Sequence, residues 1–180
     1  MLLEREGEVT AAEAVQRLCG MQAQEPKHPF IGLWTRLEAF QREDLHAALH
    51  NREVVRGTLM RGTLHLAGPE QYAAMRPALQ PVLSKGMRAL GDRADGLDLE
   101  KVLPAARKLL VEYPRTFTEL RAALQEQFPK VNERALGFAV RMHLPLLMVP
   151  TDSRWAYPQD AHFSLADDWL GKPVGESEDP

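Results

Sequence analysis

Cysteine is almost missing from this chain. Cys19 is the single one in 180 residues, so no disulfide framework can staple the fold. No apolar run is long enough to span a bilayer, and the start, Met-Leu-Leu-Glu-Arg-Glu-Gly-Glu, lacks a basic stretch followed by an apolar core. These absences predict a cytoplasmic protein. There is no Gly-x-x-x-x-Gly-Lys loop to cradle phosphates and no Gly-x-Ser-x-Gly nucleophile elbow. The histidines, His28, His46, His50, His65, His143 and His162, are scattered; His46 and His50 sit four apart with no Glu or Cys to complete a ligand set. No metal and no cofactor is expected. Cys19 itself, on an apolar helix face, reads as a small buried hydrophobe.

What is present suits a globular chain: 44% hydrophobic and 26% charged residues, enough for one medium domain or two small ones. The net charge of −3 conceals an asymmetry. Residues 1–15 carry −3, residues 160–180 carry −5, and the body between them carries +5. A basic body with acidic ends suits a nucleic-acid binder, and ordinary surface variation produces the same pattern.

The most informative motif is Gln22-Ala23-Gln24, where the first helix should end. Thr10 is a good N-cap, and Ala11, Ala14, Val15, Leu18 and Met21 recur on one face of a Thr10–Met21 helix. Gly20 favours termination, and Pro26 pushes Glu25 toward extended backbone. In extended chain residues two apart face the same side, so the two amides can converge on one point. The alternative is a polar loop that merely caps the helix.

Two segments then follow one plan, helices first and β structure after. In the first, Ile31, Trp34 and Leu37 lie in helical register, with Trp34 expected mainly in the core, and Asp44–Leu49 makes another short helix. Val54–Ala67 changes period and contains Arg-Gly-Thr-Leu twice, with glycines that signal a bend, a bulge or close backbone approach. Thr63 and His65 share one strand face, Leu64 and Leu66 the other. Pro69 opens a long helix carrying Pro77 and Pro81. The boundary falls near residues 91–96. The second segment gives helices over Leu97–Glu112, Glu119–Phe128 and Glu133–His143, the last capped by Asn132. Strands at 146–149 and Arg154–Tyr157 complete a wing over 146–163. Helix–helix–helix–hairpin is the winged-helix order, with Asn132–His143 as recognition helix; a generic small α+β domain is the alternative. The fold class is therefore mainly α with small β wings, α+β, as tandem winged helix-turn-helix units. Residues 1–95 form the first unit with its connecting helix, 96–171 the second, and 172–180 an acidic disordered tail.

Three strings carry a resemblance: Gln22-Ala23-Gln24-Glu25-Pro26, Gly32-Leu33-Trp34-Thr35-Arg36-Leu37, and Leu59-Met60-Arg61-Gly62-Thr63-Leu64-His65-Leu66. In order and approximate spacing they resemble the AlkZ/YcaQ-like winged-helix DNA glycosylases, and Trp169-Leu170-Gly171 is similar too. The resemblance covers the N-terminal half of that family's pattern, without its third winged-helix unit and C-terminal β-barrel, and the chain is either a piece of a longer protein or a shortened relative. It implies excision of alkylated or crosslinked purines from double-stranded DNA by cleavage of the N-glycosidic bond, with Gln22 and Gln24 as the catalytic Gln-x-Gln.

The residues can support such chemistry. A neutral amide is no general base, but its carbonyl oxygen orients a water and stabilises positive charge developing on the sugar. A purine alkylated at N7 or N3 is already cationic and leaves without an acid. Glu25, the nearest carboxylate, points the other way in extended chain. The candidates for DNA contact are Arg56, Arg61, His65, Arg134, Arg141 and Arg154, of which Arg56 and Arg61 can alternatively line the site. Each has a plainer reading: a surface charge for the arginines, a hydrogen-bonded structural histidine for His65. Trp155 is balanced between packing and base stacking. Two other classes stay open: a non-catalytic winged-helix DNA-binding regulator, and a winged-helix protein-interaction module.

Overall fold

The computed structural model describes residues 7–174. Thr10 starts α1 (Ala11–Arg17) with a capping box: its hydroxyl accepts from the Glu13 N–H, and the Glu13 carboxylate accepts from the Thr10 N–H at 2.9 Å. The helix stops short of Met21 because Cys19 and Gly20 turn left-handed, with φ of 53° and 104°. Cys19 is exposed there, not buried as its place in the helical pattern suggested.

The chain continues as β1 (Met21–Gln22), α2 (His28–Trp34), α3 (Arg42–His50), β2 (Val55–Thr58) and β3 (Leu64–Ala67). A helical turn over Met60–Gly62 links β2 to β3, with Arg61 and Gly62 at positive φ. Next come α4 (Pro69–Gly86), a 3₁₀ segment over Met87–Ala94, and α5 (Leu99–Glu112). The last elements are β4 (Arg115–Thr116), α6 (Phe117–Gln127), α7 (Glu133–His143), β5 (Leu146–Met148), β6 (His162–Leu165) and α8 (Ala166–Leu170). Asn132 caps α7 by accepting from the N–H groups of Arg134 and Ala135.

The two halves repeat one topology. Each runs helix, short strand, two helices, hairpin, and in each the short strand pairs antiparallel with the last strand of the hairpin. This is the winged-helix arrangement, present twice. The two wings join edge to edge, giving one six-stranded antiparallel sheet in the order β1-β3-β2-β5-β6-β4. The junction is Gly57 opposite Leu147. A Cβ at Gly57 would fall 2.5 Å from Tyr72 Cε2 and 2.8 Å from the Leu146 carbonyl, so only glycine admits both neighbours. Of the approaches that the strand glycines signalled, this is the tightest.

The sheet divides the interior. The larger core gathers Val15, Leu33, Leu45, Val102, Leu120, Leu136, Leu146 and Phe163. A smaller one joins Val55, Leu59, Tyr72, Leu147, Ala166 and Val174. Val174 is buried, and its N–H donates to Asp167 at 2.8 Å. The packed structure thus extends past 172, where the tail was expected to begin; 175–180 lie outside the described residues. Among the described residues no helix is long and apolar enough to cross a membrane.

Two other expectations need correction. In α2 the buried residues are Pro29, Phe30 and Leu33, with Leu37 just beyond the helix, while Ile31 and Trp34 are 51% and 57% exposed. The helix has ended before Leu37, so a register extended to that residue selects the wrong face. Arg154–Tyr157 is not a strand. Thr151 N–H bonds the Ala156 carbonyl at 2.6 Å, and Ala156 takes a φ of 64°, closing a tight loop. His46 and His50 of α3 reach the carbonyls of Ser153 and Thr151 at 3.3 and 3.4 Å and hold that loop to the first unit. Trp155 packs there, edge-on to Phe30 at 5.2 Å. The strand that completes the wing is β6.

Candidate active site and nucleic-acid interface

The Gln-Ala-Gln element occupies the outer edge of the sheet. Gln22 stands directly opposite His65 in the β1–β3 ladder. Ala23 is fully buried and continues the ladder, donating to the Leu64 carbonyl at 2.8 Å. The chain then bends at Gln24, whose side-chain Oε1 accepts the Leu64 N–H at 3.3 Å. That bond fixes the amide and leaves a second lone pair on the oxygen.

Arg56 holds the element from inside. Its Nε and Nη2 donate to the Ala23 carbonyl at 3.0 and 2.6 Å, and Nη2 also reaches the Gln24 carbonyl at 3.1 Å. The guanidinium stacks on Tyr157 at 4.6 Å. Burial lowers its pKa to about 10, so it stays charged at neutral pH. At 2% exposure Arg56 is not an open phosphate contact or a surface charge; it braces the turn and lines the site, the other role its place in the sequence offered. His65 is corrected likewise. It is 4% exposed, and its Nδ1 donates to the Thr63 carbonyl at 3.0 Å, the structural alternative of the two read from sequence. Burial lowers its pKa, with the Arg61 charge as a lesser cause. It is neutral at pH 7.

Gln24 opens onto a cleft of about 470 Å³ between the two winged units. Glu25, Arg56, Arg141, Gln159 and Asp160 share its walls with the apolar Leu64, Phe117, Met148 and Phe163. Gln22 is not among them. The ladder runs to Ala23 and the chain bends at Gln24, so alternation carries neither the convergence of the two amides nor the outward turn of Glu25. Glu25 instead lines the cleft beside Gln24.

The remaining arginines divide. Arg134 and Arg141 line one cleft of about 480 Å³ along α7. Arg61 is exposed on the β2–β3 turn. Arg154 is exposed over the Trp155 ring at 5.0 Å, and its carbonyl faces Arg42, near the start of α3. Among the described residues no group of three His, Cys, Asp or Glu is arranged to hold a metal.

Asp160, Gln159 and Tyr157 escaped the sequence reading because a docked loop delivers them and no periodicity marks it. Arg76, 2% exposed, escaped as well. It donates to the carbonyls of Met142 and Leu144 at 3.0 and 3.3 Å and so completes the end of α7. The family model for the AlkZ-like DNA glycosylases matches residues 15–180, a range that takes in both glutamines, the whole sheet and the cleft. The chain belongs to the AlkZ-like DNA glycosylase family. Its fold is similar to the solved structure of Streptomyces sahachiroi DNA glycosylase AlkZ, with a TM-score of 0.79 and 22% sequence identity. That alignment covers 99% of this chain and 50% of AlkZ, so the chain spans half the length of that relative. No curated protein matches the sequence.

Proposed function

We propose that the chain is the lesion-cleaving, DNA-binding half of a glycosylase that hydrolyses the N-glycosidic bond of alkylated purines, crosslinked ones included. The observation that carries this is the bracing of Gln24. Leu64 fixes its side-chain oxygen, Arg56 fixes its main chain, and the amide borders the cleft. Preorganised dipoles act on a transition state without reorganisation at the moment of reaction. Gln24 orients the attacking water through Oε1 and faces the positive charge that grows on the sugar as the base departs. Gln22, opposite His65 in the ladder, holds the strand edge that positions Gln24. Arg56 and Arg141 would oppose that positive charge by themselves; Glu25 and Asp160, on the same walls, offset them. The reading makes the protein monofunctional, with water as its nucleophile and the nucleoid as its place of work.

Glu25 supplies a second reading of the same site, favoured by its position on the cleft wall: a carboxylate base takes the water's proton and the glutamines only position it. Release of N7-methylguanine from alkylated duplex, run on this chain and on a Gln22→Ala/Gln24→Ala variant, tests the function. Release that the variant loses supports the proposal. Duplex binding without release by the parent chain indicates a DNA-binding module instead.

A further inference from the structure

Phe117 and Arg141, which border the Gln24 cleft, also line the cleft along α7, so the two openings adjoin. The second is walled by Arg93, Arg121, Arg134 and Arg141 together with Phe117 and Phe138, and none of its lining residues is acidic. Arg93 comes from the 3₁₀ segment after α4, Arg121 from α6, Arg134 and Arg141 from α7. Three separate parts of the chain therefore deliver guanidinium groups to one opening.

Their surroundings are not those of an ordinary solvated charge run. The interior positions of α7 are packed, and the strip Arg134, Phe138, Arg141 is what it presents to the cleft. Arg141 lies over Phe117 at 4.6 Å, and its pKa is lowered first by burial and then by the charge of Arg121. Arg121 lies across α7 at Gly137. A Cβ there would fall 2.8 Å from its Cδ and 3.0 Å from its Cγ. Glycine disfavours a helix interior, yet here it lets the arginine stem lie flat on the helix. Arg121 keeps one exposed ion pair, to Glu133 at 3.4 Å. Among the described residues, the guanidinium groups of Arg93 and Arg134 have no hydrogen bond or ion pair; Arg134 bonds Asn132 through its main-chain N–H alone. Four like charges held together repel one another unless an anion joins them.

We propose that this groove holds successive phosphodiesters of a DNA strand running on from the Gln24 cleft, with Arg93 and Arg121 joining Arg134 and Arg141 as backbone contacts. Gly137 sets the path by laying Arg121 along α7. The inference rests on the DNA glycosylase reading and adds to it the course of the strand.

The test is duplex affinity of the full chain as a function of salt. Arg93→Ala/Arg121→Ala is predicted to flatten the logarithmic slope by roughly 2 and to weaken low-salt binding at least about tenfold. Gly137→Ala, which keeps every charge, is predicted to flatten it by roughly 1 by displacing Arg121. Lys108→Ala, exposed on α5, is predicted to leave it unchanged. Circular dichroism shows whether each variant is folded, and the glycine variant carries the test should the double one unfold. Slopes within error of the parent for both variants overturn the groove and leave the glycosylase reading intact. Weakened binding of inorganic phosphate alone, with an unchanged duplex slope, assigns the groove to a free anion and also overturns it. A parent chain that binds no duplex overturns both.

Discussion

Arg56 grips the carbonyl of Ala23 with two donors, Nε at 3.0 Å and Nη2 at 2.6 Å, while its ring partner Tyr157 comes from the far wing. One buried guanidinium thus ties the edge strand of the first unit to the docked loop of the second. Everything proposed for Gln24 depends on that tie.

Replacing the arginine tests it. Arg56→Met leaves the buried Ala23 carbonyl and the part-buried Gln24 carbonyl without their charged donor, at a cost of about 2–4 kcal/mol. Arg56→Lys keeps the charge and loses the planar fork, so it should fold and still release alkylated base far more slowly. Urea unfolding of the methionine variant checks the first expectation: a midpoint equal to the parent's removes Arg56 from the account of the turn.

His65 gives a pH prediction with a definite sign. Burial lowers its folded pKa below the ordinary histidine value of roughly 6.5, so the unfolded chain binds a proton in a range where the folded chain does not. Stability contributed by His65 is therefore present above the unfolded pKa and declines as pH falls from about 7 toward the folded pKa. The capping carboxylates Glu13 and Glu119, also lowered chiefly by backbone hydrogen bonds, lose their contributions only at more acidic pH. Thermal unfolding should show a lower Tm at pH 5.5 than at pH 7, with a smaller difference in His65→Gln. An equal difference in both proteins assigns the effect to other groups.

Gly57→Ala probes the seam between the wings. Its Cβ would meet the Tyr72 ring and the Leu146 carbonyl, and neither can withdraw: the ring is fully buried, and the carbonyl accepts from the Tyr72 hydroxyl at 3.2 Å. Overpacking of this kind costs about 1–3 kcal/mol. Gly91→Ala, where nothing lies within 4 Å, strains only the local backbone at φ 53°. Urea midpoints should fall further for the Gly57 variant, and the reverse order would locate the weak point outside the seam.

Local order was legible in the sequence. Thr10 and Asn132 start helices as their side chains dictate, and α7 spans Glu133–His143 as its pattern predicts. The repeated Arg-Gly-Thr-Leu signalled a change of period, and β2 and β3 lie there. What stayed hidden depends on contacts between distant segments. No spacing reveals that β2 will pair with β5, or that His46 and His50 will bend 151–153 away from strand geometry. Arg56 read as a surface cation because composition cannot state that an arginine's partners are main-chain carbonyls 32 and 33 residues away. Gln24 and Glu25 read as opposed because alternation was carried one turn too far, past the bend where the strand ends.

The most direct measurement is the rate of N7-methylguanine release from alkylated duplex by the parent chain, Gln24→Ala and Glu25→Gln, at equal saturation with DNA. The account predicts release by the parent, a loss of roughly a hundredfold in Gln24→Ala, and a change of only a few-fold in Glu25→Gln. A Gln24→Ala rate equal to the parent's, or abolition of release in Glu25→Gln alone, contradicts it.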